Sequence, residues 1–241
     1  MQATASRTCD WTATWRERLG SYLSAVPRAG LFLSQLPLGR VDTVLEIACG
    51  SARDSLHLRD IGKTVVATDS NAHVIQQLDD QFADLPNIDF RVENAAALTF
   101  RDRQFDMSFH NGLFIYFDDD ALIKELLREQ ARVTRSHLFF IVHNGHNEAL
   151  KRKFQAMSRE DSLYDVRFFR RQDIEAIVGE SGIPHRRMRI YNFGSPADRF
   201  LGERIKGIPN PLRGVAAGNV RALYALTPLA AAERLVCHIE L

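Results

Sequence analysis

Val44-Leu45-Glu46-Ile47-Ala48-Cys49-Gly50-Ser51-Ala52-Arg53-Asp54 decides how this chain folds. A short apolar run ends on an acidic residue. A turn of small residues follows, and an amphipathic segment starts at Arg53. The pattern predicts a buried parallel strand, a tight turn and a helix, the place where open α/β sheets bind ligands. Small side chains let backbone N–H groups approach a ligand closely, and Glu46 can accept from a hydroxyl or an ammonium group. A second apolar run, Thr64-Val65-Val66-Ala67-Thr68, ends at Asp69, 23 positions after Glu46. An acidic residue at that point commonly takes the two hydroxyls of a ribose.

The alternation continues on both sides of this stretch. Strands are predicted at about 42–47, 64–68, 88–92, 105–109 and 138–142, with helices at about 51–60, 71–82 and 119–134. Ile123, Leu126, Leu127, Gln130 and Val133 mark the inner face of the last helix. Such runs imply a largely parallel sheet covered on both faces. Upstream, residues 11–37 read as helical, with Trp11, Trp15, Leu19, Tyr22 and Leu23 at helical spacing before Pro27. Downstream, helices are expected at 145–159 and 171–181, a loop or short extended piece at 161–171, and strands at 187–191 and 234–241. Residues 193–228, rich in Gly and Pro, read as a cap. The resulting division is an N-terminal helical lid, 1–40, and a main domain, 41–241, with a cap insertion at about 145–228.

Composition narrows the class. At 241 residues, 45% hydrophobic and 25% charged, the chain suits one globular enzyme domain. No run approaches the roughly 18 apolar residues of a membrane span, and Met1 to Arg18 lack the apolar core of a signal peptide. Cys9, Cys49 and Cys237 are scattered and show no metal spacing, which points to reduced thiols in the cytoplasm. The net charge of +1 hides a basic stretch: residues 151–214 hold 14 Lys plus Arg against 8 Asp plus Glu. That excess is either a solvated face or a surface that meets an anionic substrate.

The strand-end residues resemble those of the class I S-adenosylmethionine-dependent methyltransferases, whose first strand ends in an acidic residue and a Gly-x-Gly-x-Gly-like turn. The recognisable motifs cover about 42–143. Of the three glycines only Gly50 is kept, with Ala48 and Ala52 at its flanks. The competing nicotinamide unit wants Gly-x-Gly-x-x-Gly. Ala48, Gly50 and Arg53 stand at those positions, and Arg53 crowds the turn where the third glycine admits helix–strand packing.

The resemblance implies a doubly wound, Rossmann-like seven-stranded sheet, mostly parallel, with an antiparallel final strand between the fifth and sixth. It also implies S-adenosylmethionine as cofactor. On that reading Glu46 lies at the methionine end, Ala48 and Gly50 form the close-approach turn, and Asp69 meets the ribose. Ser70 or Asn71 lies beside the adenine, and Asn94 and Ala95 meet its amino group and ring nitrogen. Arg53 reaches the cofactor carboxylate or, alternatively, pairs with Asp54 or Asp60. Tyr22 and Arg18, one helical turn apart, belong to the lid.

Two adjacent strand ends carry a His-Asn pair: Phe109-His110-Asn111-Gly112 and Val142-His143-Asn144-Gly145. Histidine titrates near neutrality, so His110 and His143 are the candidate bases, and His110 is also placed beside the cofactor. The plainer reading is two hydrogen-bonded structural histidines. Phe114, Tyr116, Tyr164, Phe168 and Phe169 are candidate walls of an acceptor pocket or plain core. His143-x-x-His146 lacks the further ligands a metal needs, and Asp118 to Asp120 suit a helix start.

The expected activity is methyl transfer to oxygen or nitrogen of a small anionic acceptor. Residues 111–116, 143–144 and 163–169 add a resemblance to methyltransferases of bacterial glycan or secondary-metabolite pathways. The alternatives are an RNA methyltransferase, prompted by the basic stretch, a cyclase-like user of the same cofactor, and a non-catalytic partner subunit. Neither DNA nor a membrane is expected as partner. The oligomeric state stays open, a homodimer included.

Overall fold

The computed structural model describes residues 9–205 and 207–241. Residues 1–8 of the expected lid lie outside this range. The chain opens with helices α1 (Trp11–Leu23), which ends at its C-cap Ser24, and α2 (Arg28–Ser34), which starts behind Pro27. The alternating core follows: β1 (Thr43–Ile47), α3 (Arg53–Asp60), β2 (Thr64–Asp69), α4 (Ala72–Phe82), β3 (Ile88–Val92), β4 (Phe105–Asn111), α5 (Asp120–Val133) and β5 (Thr134–Asn144). Beyond it come α6 (Glu148–Met157), β6 (Phe168–Phe169), α7 (Arg171–Ser181) and β7 (Arg187–Phe193). The chain closes with the small hairpin β8 (Arg204–Ile205) and β9 (Ile208–Pro209), then α8 (Arg213–Gly218), α9 (Val220–Ala225) and β10 (Arg234–Glu240).

The main sheet runs β3-β2-β1-β4-β5-β10-β7, with the two-residue β6 added beside the end of β5. β10 is antiparallel to both of its neighbours, and the β1–β5 pairings are parallel. The expected architecture is therefore present, with one short extra strand. The stretch expected as a cap, 145–228, is only partly one, because α7 and β7 belong to the layers of the main sheet.

Alternate residues of the strands feed opposite layers. Val44, Phe109, Phe139, Ile141 and Val236 pack with Phe32 and Leu33 of α2 and Val220 and Tyr224 of α9. Leu138, Phe140, Val142, Leu235 and Cys237 pack with Ile123 and Leu127 of α5 and Ile174 and Ile177 of α7. Among the described residues no helix is long and apolar enough to cross a membrane.

The β1–α3 turn shows how alanine replaces glycine. Ala48, Gly50 and Ala52 all have left-handed backbone, at φ 52°, 53° and 52°. An alanine held there is strained by about 1–2 kcal/mol relative to ordinary helical backbone. A β-branched side chain tolerates it far less well. Ala48→Val is therefore expected to destabilise the fold by at least ~1 kcal/mol, whereas Ala48→Gly, which trades strain for unfolded-state entropy, stays within about 1 kcal/mol of wild type. Urea denaturation of the two variants checks this.

Candidate active site

The carboxyl ends of β1 to β5 and the start of β10 meet at one edge of the sheet, where they enclose a cavity of about 910 Å³. Glu46, Ala48, Gly50, Arg53, Asp69, Ser70, Asn94, Ala95, Tyr22 and His143 all line it. His110 does not. Its ring is buried on the other face of the sheet, with its centroid 4.2 Å from that of Phe114 and 6.0 Å from that of Phe140.

The reason is strand parity. His110 pairs with Phe140 and Asn111 with Ile141, so the β4 residue that shares a face with His143 is Asn111. Burial alone pushes the His110 imidazole down to about 3, and neither ring nitrogen has a hydrogen-bond partner among the described residues.

At the adenosine end, Asp69 accepts from the backbone N–H of Gly50 (3.0 Å) and of Asn71 (2.9 Å), which fixes both oxygens at the cavity wall. Burial raises its pKa, while those N–H groups and that of Ser70 act in the opposite direction. Asn71 caps α4 by accepting from the N–H groups of His73 and Val74. Asn94 turns its Oδ1 to the N–H of Ala96 at 3.0 Å, so part of its amide serves a local turn.

At the other end of the first turn, Glu46 is buried and its Oε2 accepts from the N–H and hydroxyl of Ser55, tying β1 to the start of α3. Burial, and then neighbouring Asp54, push its carboxyl well above the usual range. Arg53 pairs with neither Asp54 nor Asp60. It donates to the Tyr22 carbonyl at 3.3 Å and lies 5.6 Å from the centre of the Tyr22 ring.

Helix α1 covers this edge. Trp11 meets Tyr116 edge-on at 4.8 Å between centroids, and the Thr12 hydroxyl accepts from the Asn71 amide at 3.1 Å. Arg18 pairs with Asp161 at 2.5 Å rather than reaching the cavity. A Cβ on Gly50 would lie 2.5 Å from the Trp15 ring. The glycine that sequence reasoning assigned to ligand approach is thus required by the packing of this helix.

The wall residues that escaped the sequence reading include Trp15, Asp54, Asn111 as a cavity group, and Arg234. Asp54 accepts from the Gly30 N–H (2.9 Å) and from the Asn111 amide (3.4 Å), and Asn111 in turn accepts from Arg234. Arg234 stands opposite His143 in the β5–β10 register. Burial, then the charges of Arg28 and Arg53, push its guanidinium down to about 10. The His143 imidazole is held well below its ordinary value by burial first, then by Arg234 and Arg28. Its ring faces Phe154 and Phe168, at 4.8 Å and 5.2 Å between centroids. Antiparallel placement of β10 was the signal that Arg234, at its start, would reach the functional edge.

Much of the basic stretch is engaged elsewhere. Arg167 pairs with Asp120, Arg189 with Glu240, Arg213 with Glu203, and Arg171 bonds Asn192 and the Ile190 carbonyl. The arginines in the cavity wall are Arg53 and Arg234, both outside that stretch. The acidic run before α5 is explained by capping, because Asp119 accepts from the Ala121 N–H at 2.8 Å.

Residues 44–137 match a family model described as a methyltransferase domain. Over those residues the chain carries a methyltransferase domain. Phosphoethanolamine N-methyltransferase 1 of Caenorhabditis elegans is 28% identical over 134 residues, 56% of this chain. The match spans 27% of that relative's length.

Two solved structures share the methyltransferase fold. One is a chain from the complex of the Haloferax volcanii Trm112 methyltransferase activator with a methyltransferase: 17% identity, TM-score 0.64, covering 98% of this chain and 99% of that one. The other is an S-adenosylmethionine-dependent methyltransferase of Thermotoga maritima: 14% identity, TM-score 0.61, covering 95% of each chain.

The wall chemistry of this methyltransferase domain fits its cofactor. Asp69 offers a carboxylate to a diol, and Asn94 and Glu93 offer carbonyl and carboxylate acceptors to an amino group. Glu46 and Asp54 suit an ammonium, and Arg53 a carboxylate.

Proposed function

We propose that this domain methylates oxygen or nitrogen of a small anionic acceptor held between Tyr116, His143 and Arg234. The observation that supports the reading is the single cavity that runs from Asp69 and Asn94, past Glu46 and Arg53, to His143 and Arg234. S-adenosylmethionine supplies a methyl group already activated by its sulfonium charge, so the protein's main task is to orient two reactants.

Asp69 holds the ribose hydroxyls, Asn94 and Ala95 the adenine edge, Ser70 the space beside it, and Arg53 the amino-acid carboxylate. Ala48 and Gly50 bring the first turn against the cofactor, and Tyr22 closes it from α1. His143 takes the proton that an attacking hydroxyl or ammonium must lose. An acceptor with both an amine and a phosphate, of the kind named for the nematode relative, suits this arrangement. Cys49 and Cys237 are buried free thiols and suit a reducing compartment, so a cytoplasmic location belongs to the proposal.

Calorimetry tests the cofactor half. Asp69→Ala should weaken S-adenosylmethionine binding by about 1.5–3 kcal/mol, the scale for hydrogen bonds to a charged group, which is roughly 10- to 150-fold in Kd. Unchanged affinity would remove Asp69 from the site. A wild type that binds neither S-adenosylmethionine nor S-adenosylhomocysteine would favour a non-catalytic partner subunit.

A further inference from the structure

The far corner of the cavity contains a cation that the fold does not neutralise. Arg234 has five N–H donors. Among the described residues its one hydrogen bond runs from Nη1 to the neutral Asn111 amide oxygen, and no carboxylate lies within ion-pair distance. The nearby acids are committed elsewhere. Glu233 pairs with Arg28 at 2.8 Å, Asp198 pairs with Arg28 at 2.5 Å, and Asp54 is reached only through Asn111. An unpaired guanidinium in a largely enclosed wall is costly unless an anion meets it.

Position separates this group from the adenosine ligands. In the sheet, β10 lies beyond β5 and β4, and the Asp69 and Asn94 ends of β2 and β3 lie on the other side of β1. Four strand spacings separate β2 from β10, about 19 Å at ~4.8 Å each. Arg53, at the start of α3, is the cation closer to the first turn. Asn111 fixes the Arg234 fork beside the end of β4, and Tyr116 and His143 complete the corner.

Building on the methyl-transfer reading above, we propose that Arg234 is the specificity determinant for the acceptor, pairing through its planar fork with an oxyanion, a phosphate or a carboxylate, of the small molecule to be methylated. A fork of this shape binds such groups bidentately, which fixes orientation as well as affinity. The pairing has a second consequence. Arg234 and Arg28 both suppress protonation of His143. An anion on Arg234 cancels part of that field, so the acceptor itself makes His143 a better proton acceptor on arrival. The other charged and titratable groups at this corner are Arg28, Arg53, Glu233, Tyr116 and, through Asn111, Asp54.

The experiment uses the full chain loaded with S-adenosylhomocysteine, titrated with inorganic phosphate and, in a parallel arm, with acetate. Arg234→Met should weaken oxyanion binding at least tenfold, Arg234→Lys should fall between it and wild type, and the Kd for S-adenosylhomocysteine should stay within threefold. The oxyanion bound more tightly by wild type names the acceptor group.

In wild type, independently of any variant, saturating anion should raise the pKa of His143 read by NMR. Three results would overturn the proposal: unchanged anion binding in Arg234→Met, a His143 titration indifferent to anion, or a tenfold loss of S-adenosylhomocysteine affinity in both variants. The last would assign the guanidinium to the cofactor carboxylate. A wild type that fails to bind S-adenosylhomocysteine at all would sink the methyl-transfer reading along with this one. Binding of the cofactor product without an oxyanion effect would sink this one alone.

Discussion

His143→Ala is expected to lower turnover by about 10²- to 10⁴-fold, the usual contribution of a positioned general base. Cofactor affinity should stay within about threefold, ~0.7 kcal/mol, because His143 lies at the β10 side of the cavity, away from Asp69 and Asn94. The pH profile carries a second signature. Burial, Arg234 and Arg28 hold the imidazole well below its ordinary value, so it remains unprotonated across the neutral range. Turnover should therefore be flat from pH 8 down through 6.5, and its acid limb should lie below the position of a free histidine. Steady-state rates of His143→Ala above a tenth of wild type would leave orientation alone to explain the reaction.

His110 has an effect of similar size on stability. In the unfolded chain its pKa lies near 6.5, and in the fold it is about 3. As the pH falls through that window, the unfolded chain takes up a proton that the native state refuses. The native state is thereby penalised by up to ~1.4 kcal/mol per pH unit, with the loss beginning near pH 6.5 and ending near pH 3. Between pH 7 and pH 5 this amounts to about 2 kcal/mol. His238, also buried and pushed down to about 3, adds to the same trend. Glu46 and Asp69, whose folded values are raised, stabilise the native state on acidification and oppose it.

The comparison that isolates the effect is His110→Phe, which keeps a ring between Phe114 and Phe140 but removes the titration. Urea-denaturation free energies at pH 7 and pH 5 should show wild type losing about 2 kcal/mol relative to the variant. Parallel losses in both proteins would exclude His110 as an acid sensor of the fold.

The same histidine shows what the sequence could and could not convey. The apolar runs before Glu46 and Asp69 were enough to place two strand ends, because a strand buried on both faces has little choice of residue, and the alternation of Ile88, Phe90 and Val92 placed the third, on the edge strand. Those ends do meet around one cavity. A His-Asn pair at the next two strand ends suggested two convergent bases, but a strand changes face with every residue. Only the register of β4 against β5 assigns His143 and Asn111 to one side and His110 to the other. The β5–β4 offset that sets this register is a tertiary property. Gly50 was legible as a position without room for a side chain, yet its neighbour is Trp15, contributed by a helix 35 residues earlier. Arg234 had no local signature: its importance comes from a final strand that runs backwards and delivers its first residue to the busy edge.

The contacts of α1 also bear on access to the cavity. One helix touches the first turn through Trp15, the adenine side through Thr12 and Asn71, and the acceptor side through Trp11 and Tyr116. Its link to the far loop, Arg18 to Asp161, is a partly exposed ion pair of the kind that contributes under about 1 kcal/mol. Trp11 and Trp15 hold the helix over both compartments, so neither the first turn nor the Tyr116 corner is uncovered without breaking an aromatic contact, and access to the two ends of the cavity is governed by one element.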